Sequence, residues 1–296
     1  MNKPNFFIVG APKSGTTAMN DYLSQHPDVY MATKEIHYFG SDLLVRTRPS
    51  KSEYLNCFKE ANGKKIIGES SVWYLFSKNA AQEIKAFAPE AKILIMLRNP
   101  VDVMYALHSQ QLYDANEDVL DFETAIALDE ARKKGHNLAK SLDFIRPPSY
   151  IDSVLFADQV TRYLQVFGSD QVHIVLFEEF ITDTPCVVEK TLQFLGMNTQ
   201  AKINYEIVNP NKQIGSFKLH QLIKIPPSGL QAVVRVLLPF KKIRHAIMSS
   251  ILKRNIKEKK RSEMNPALRA KLQSYVKPDV QKLSQLIGRD LSGWLY

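Results

Sequence analysis

The chain has 296 residues, 45% of them hydrophobic and 23% charged, with a formal net charge of +9. That composition and length support a sizeable core and exclude a disordered or fibrous chain. There is no uninterrupted apolar run of about 18 residues, which excludes a spanning helix by pattern, and the first apolar run starts about five residues in, which leaves no room for a signal peptide. Cys57 and Cys186 lie far apart without metal-ligand spacing and read as reduced thiols, so the expected setting is cytoplasmic.

Four apolar runs read as parallel strands: Phe6 to Val9, Lys65 to Gly68, Ile93 to Leu97 and Val172 to Phe177. Helical patterns at 16–25, 77–87, 100–113, 121–134 and 155–167 separate them, and Thr184 to Leu195 reads as a helix ended by Gly196. Such alternation predicts an α/β fold: a three-layer, doubly wound parallel sheet with ligands at the carboxyl ends of its strands. Residues 135–150 read as a long connection and 196–228 as mostly irregular, with turn signals at Asn209-Pro210-Asn211 and Pro226-Pro227-Ser228-Gly229. The final segment, 266–288, is an amphipathic pattern interrupted near Pro278. The expectation is one domain over 1–296, with an α/β core at 1–200 and a helical C-terminal part at 201–296.

The first strand runs into Gly10-Ala11-Pro12-Lys13-Ser14-Gly15-Thr16-Thr17, and a helix follows. Strand, tight loop and helix N-terminus make an anion cradle, because the free N–H groups of the helix end carry partial positive charge. Gly10 and Gly15 have Walker A spacing, G-x-x-x-x-G, but position 16 is Thr and the lysine stands three residues earlier, at Lys13. Lys13 is therefore placed in the loop itself, with Ser14, Gly15, Thr16 and Thr17 offering hydroxyl and backbone donors.

Pro-Lys-Ser-Gly-Thr-Thr after an N-terminal strand resembles the 5′-phosphosulfate loop of sulfotransferases that use 3′-phosphoadenosine 5′-phosphosulfate (PAPS). The resemblance implies an Arg at the end of a later strand to hold the 3′-phosphate, and Arg98 follows Ile93 to Leu97. Lys34-Glu35-Ile36-His37-Tyr38-Phe39 resembles the Lys-Glu-x-His-x-Phe segment of heparan sulfate sulfotransferases and their bacterial relatives. There the residue matching Glu35 is the general base and the one matching His37 lines the acceptor site; either could be the base here. Lys13 would stabilise the leaving phosphate of adenosine 3′,5′-bisphosphate. The sulfuryl group carries less charge than a phosphoryl group, so no metal is expected.

Three departures from that family stand out: Ser70 where it often has a second active-site lysine, Ala106 in place of a 3′-phosphate serine, and Val103 in place of an Arg. In the heparan sulfate enzymes a C-terminal Lys-Gly-Arg segment closes over the 3′-phosphate; Lys257 to Arg261 lies in the corresponding region, to within a few residues of register, and the resemblance implies that role for Arg261. Tyr150 is the candidate for stacking on adenine. Between Lys218 and Arg261 twelve Lys/Arg stand against one acid, Glu258, so this stretch carries +11 and the remainder of the chain −2. The 230–256 segment, apolar and basic, could pack as core, cap the acceptor site or make peripheral membrane contact. The accepting group is a hydroxyl or an amine, and the acceptor classes left open are a small molecule, lipid, polyketide or saccharide, with no nucleic acid partner and no oligomeric state implied. Two other functions compete: a P-loop nucleotide kinase, which would bind ATP with Mg²⁺, and a non-catalytic relative binding anionic lipid or polysaccharide.

Overall fold

The computed structural model describes residues 2–139, 141–206, 212–227, 229, 240–258 and 262–296. Five strands form one parallel sheet: β1 (Phe6–Gly10), β2 (Val29–Met31), β3 (Ile66–Ser70), β4 (Lys92–Leu97) and β5 (Val172–Leu176), in the order β2-β3-β1-β4-β5. β1 is central; the chain passes first to the edge at β2, returns to β3 beside β1, then crosses to β4 and continues outward to β5. The α/β architecture is therefore as the alternating pattern predicts.

Alternation along β1 builds a core on each face of the sheet. Phe7 and Val9 join Ile93, Ile95 and Leu97 of β4 in one apolar cluster. This cluster also takes in α3 (Ala80–Phe87), α4 (Pro100–Asp114), α7 (Phe156–Phe167) and the C-terminal helix Pro266–Ile287. Phe6 and Ile8 face the other way, with Leu94, Met96 and Val175, onto α1 (Thr16–Ser24) and the helix Thr184–Leu195. Both faces of a parallel sheet must be covered, so its strands are near-continuous apolar runs.

Several elements depart from the pattern-based expectation. β2, a three-residue edge strand, and the short helix α2 (Lys51–Asn56) carry too few residues for a periodic signal. The 121–134 pattern is two helices, α5 (Phe122–Ala127) and α6 (Asp129–Lys133), joined at Leu128. Within 196–228, expected to be irregular, Phe217–Lys224 is a helix capped by Ser216, whose Oγ accepts from Leu219 N. Lys212–Ile214 pairs antiparallel with Ile256–Glu258.

Pro278 does not interrupt the last helix, which runs unbroken from Pro266 to Ile287. A proline inside a helix costs about 3 kcal/mol. Here Leu272, Val276, Val280 and Leu283 on both sides of it are buried in the first core. Four buried aliphatic side chains contribute roughly 1.5–3 kcal/mol each, which exceeds that cost. The helix Lys241–Arg254 occupies most of the later part of the 230–256 segment, whose residues 230–239 lie outside the described residues. No helix among the described residues is long and apolar enough to cross a membrane.

Candidate active site

β1 and β4 are parallel neighbours, so the loop after β1 and the residue after β4 emerge at the same, carboxyl end of the sheet. Ala11 N–H donates to Met96 O at 2.6 Å and locks the loop to β4. Gly10 is required at the turn: it has φ +154°, and a Cβ there would sit 2.6 Å from Leu75 Cβ. Gly15 caps α1 from φ +87°, and no side chain caps that helix end. Ser14 and Thr16 are buried beside it. An uncapped helix N-terminus flanked by hydroxyls fits an anionic phosphosulfate group.

Lys13 holds φ +61°, and its Nζ donates to Gln110 Oε1 of α4 at 3.0 Å. Gln110 Nε2 in turn donates to Asp114 Oδ2 at 2.8 Å. Arg98 Nη1 donates to the Lys13 carbonyl at 3.2 Å, and its guanidinium lies 4.4 Å from the Phe177 ring centroid. Burial pushes the Arg98 pKa down, opposed by Asp102 and Glu178. The cradle and the Arg expected for the 3′-phosphate thus touch directly.

By sequence alternation Glu35 and His37 would share one side of an extended segment, but the structure does not hold them on one. Both hold left-handed backbone, with φ of 61° and 55°. Among the described residues five non-glycine residues have positive φ, and three of them are Lys13, Glu35 and His37. Such conformations cost about 1–2 kcal/mol each and concentrate at functional sites. Glu35 N–H donates to Ser70 O at 2.8 Å, and Val72 N–H donates to Glu35 Oε2 at 3.2 Å. Glu35 Oε2 also lies 3.5 Å from His37 Nε2.

Burial pushes the Glu35 pKa up to about 7, against the lowering effects of Lys34 and the Val72 N–H. Its side chain keeps 38% of its surface accessible. The carboxylate therefore lies at a solvent-reachable floor rather than in the core, and solvent screens part of that rise. Burial pushes His37 down to about 4, with Asp143 opposing and Arg48 assisting. His37 is thus neutral at pH 7. Its Nδ1 is buried without a hydrogen-bond partner.

A buried carboxylate beneath this segment holds it in place. Glu69, fully buried on β3, accepts from the hydroxyls of Tyr54, Ser71 (2.9 Å) and Tyr74 (2.6 Å). Tyr74 Oη accepts from Tyr38 N–H (2.9 Å) and Phe39 N–H (3.2 Å), and Ser71 Oγ accepts from His37 N–H at 3.2 Å. From the outer side, Arg48 donates to the carbonyls of His37, Tyr38, Phe39, Gly40 and Leu43 at 2.7–3.1 Å. Sequence reading missed Glu69, Tyr74, Arg48 and Gln110, because none belongs to a local pattern and their partners are remote in the chain.

Two predicted residues fall elsewhere. Tyr150 is buried against His108 and Phe122, and its hydroxyl donates to Glu117 at 2.9 Å. That ring has no open face for adenine, so its place in the structure is a packing one. Arg261 lies outside the described residues; next to it, Ser262 Oγ is 3.0 Å from Tyr105 Oη of α4. Val103 and Ala106 are both buried in α4. Ser109 Oγ is bonded to Tyr105 O of its own helix. In the stretch Leu112 to Asp118, which reads as acidic in the sequence, Glu117 is buried and paired with Arg132 at 2.5 Å.

The family model described as "Sulfotransferase domain" matches residues 3–286. Mouse carbohydrate sulfotransferase 15 is 30% identical over a region covering 66% of this chain and 44% of that protein. Human bifunctional heparan sulfate N-deacetylase/N-sulfotransferase 2 is 26% identical, covering 66% of this chain and 22% of its own length. The chain thus spans less than half the length of these relatives. A sulfotransferase structure from Alicyclobacillus acidocaldarius superposes with a TM-score of 0.75 at 32% identity, with all of both chains covered.

Proposed function

This chain belongs to the sulfotransferase family, and on that premise we propose that it transfers a sulfuryl group from PAPS to an acceptor hydroxyl. The observation that carries the reading is one set of contacts at the carboxyl ends of the strands. Arg98 meets the loop carbonyl of Lys13, and a carboxylate with a pKa of about 7, Glu35, stands beside the same cradle through Lys34.

PAPS, when bound, supplies the sulfuryl group and leaves as adenosine 3′,5′-bisphosphate. The bond from sulfur to the acceptor oxygen forms as the bond to the bridging phosphate oxygen breaks, and the acceptor proton goes to Glu35. Lys13 and the N–H groups at the start of α1 hold the 5′-side anion and the charge that builds on it. Arg98 takes the 3′-phosphate, its plane set by Phe177. Glu35, with its pKa near the working pH, is suited to accept a proton without being permanently occupied by one. His37, neutral, orients the acceptor through a ring nitrogen.

A carbohydrate hydroxyl is the first acceptor class to test, because carbohydrate sulfotransferase 15 is among the similar proteins. The experiment incubates the chain with PAPS and a panel of saccharide, lipid, polyketide and small alcohols, and measures adenosine 3′,5′-bisphosphate released and sulfated product formed. Isothermal titration of adenosine 3′,5′-bisphosphate without Mg²⁺ accompanies it. Binding of ATP only with Mg²⁺, and no sulfated product from any alcohol, would overturn the reading.

A further inference from the structure

We propose that Lys34 is the second cation of the phosphosulfate cradle, filling from the base-bearing segment the place that Ser70 leaves uncharged. The proposal rests on the reading of the loop as a phosphosulfate site. Lys34 Nζ donates to Thr17 Oγ1 at 2.7 Å and reaches Thr16 Oγ1 at 3.4 Å. Thr16 and Thr17 are the first two residues of α1, the helix end that no side chain caps. An anion drawn to the N–H groups of that turn comes within reach of the same ammonium. Ser70, at the end of β3, has a buried Oγ without a hydrogen-bond partner, and its carbonyl holds Glu35 N–H. The chain therefore fixes Lys34 beside the position where the family's second lysine would start.

The contacts of Lys34 are incomplete without an anion. An ammonium has three donors. Two point at threonine hydroxyls, which are neutral acceptors, and the nearest carboxylate oxygen, Glu35 Oε1, is 3.9 Å away, beyond hydrogen-bond distance. The side chain keeps only 20% of its surface. Burial pushes its pKa down, and only Glu35 and Asp21 oppose this. A phosphosulfate oxygen would supply the charged acceptor that this half-buried cation lacks. The same ammonium lowers the pKa of Glu35. Lys34 thereby links the donor site to the base: it is adjacent to Glu35 in sequence and bonded to α1 in space.

The test uses Lys34→Gln, which keeps a hydrogen-bond donor for Thr17 but removes the charge, together with Lys34→Arg. Isothermal titration compares adenosine 3′,5′-bisphosphate with 3′-AMP, which retains the 3′-phosphate and lacks the 5′-phosphate. Lys34→Gln should weaken the bisphosphate by about 10-fold or more and leave 3′-AMP within about 2-fold, whereas Lys34→Arg should restore most of the loss. Arg98→Ala should weaken both ligands. In transfer assays, Lys34→Gln should also move the acid limb of the pH–rate profile to higher pH, since Glu35 loses its lowering charge. Unchanged bisphosphate binding in Lys34→Gln, with Arg98→Ala still impaired, would overturn the role of Lys34 and leave the sulfotransferase reading standing. Wild-type chain that binds neither ligand would overturn both.

Discussion

Oε2 of Glu35 lies 3.5 Å from Nε2 of His37, and the two residues hold this approach from left-handed backbone at φ of 61° and 55°. It is not an ion pair at neutral pH, because burial keeps the imidazole neutral down to about pH 4. The pair instead joins a carboxylate that titrates near 7 to a neutral imidazole. Transfer by a base requires the carboxylate to be ionised, so turnover should rise with pH through about 7 and level off above it. Glu35→Gln should abolish that limb and lower turnover by about 10²-fold or more. A flat profile between pH 5.5 and 8.5 would remove Glu35 as the base.

The same two groups make opposite contributions to stability. Glu35 has a folded pKa raised from 4.5 to about 7. The folded chain therefore binds more protons than the unfolded chain in that window, and the Glu35 contribution is present below about 4.5 and lost as pH rises to 7. His37 has a folded pKa lowered from 6.5 to about 4, so its contribution is present above 6.5 and lost as pH falls to 4. Urea midpoints of Glu35→Gln relative to wild type should therefore improve as pH rises from 4.5 to 7. A constant difference across this range would contradict the raised carboxylate.

Lys13 is positioned by Gln110 rather than left to solvent. Lys13→Ala should reduce turnover by about 10²-fold or more, with circular dichroism unchanged, because the lysine acts on charge that develops at the leaving phosphate. Gln110→Ala should have a smaller effect on turnover, since it removes one contact of the lysine without deleting the lysine. Steady-state kinetics of the two variants would check the order, and equal losses would argue that Lys13 acts through its placement alone.

Tyr74→Phe should be destabilising out of proportion to one lost atom. It removes a donor to buried Glu69 and, at the same time, the acceptor for the Tyr38 and Phe39 N–H groups. Leaving buried polar groups unsatisfied costs about 1–3 kcal/mol, measurable as a lower urea midpoint. Because the Glu35–Phe39 segment loses its anchor, turnover should fall as well, without change in affinity for adenosine 3′,5′-bisphosphate.

Arg98→Lys keeps the charge and loses the planar fork and the contact with Phe177. Affinity for adenosine 3′,5′-bisphosphate should drop by about 10-fold or more. Adenosine 5′-phosphate, which lacks the 3′-group, should be bound equally by both forms. Equal loss for the two ligands in titration would move Arg98 away from the 3′-phosphate.

The strands β1, β3, β4 and β5 were legible because each is a buried apolar run, and the helix ends at Gly196 and Pro100 because glycine and proline punctuate the backbone locally. The loop of Lys13 and the strand end at Arg98 were legible for the same reason: each is a short contiguous motif. β2 was not, since three residues carry no period, and neither was the unbroken helix through Pro278, which packing sustains against a local breaker. Extended geometry was the wrong basis for pairing Glu35 with His37. Their proximity comes from two left-handed residues held by Ser70, Ser71 and Arg48.

By itself the sequence determined which chemistry the first loop can support, because the position of Lys13 relative to Gly10 and Gly15 is a covalent fact. It also determined the parallel sheet, because burial on both faces writes itself into composition. Only the tertiary structure decided which side chains serve that loop. Lys34, Gln110 and Arg98 reach it from 17 to 97 residues away in the chain, and Tyr150, chosen from position alone, is packed into the interior. The physical reason is that a site is assembled by side-chain contacts between strand ends, and those contacts follow from strand order, which no local window of residues contains.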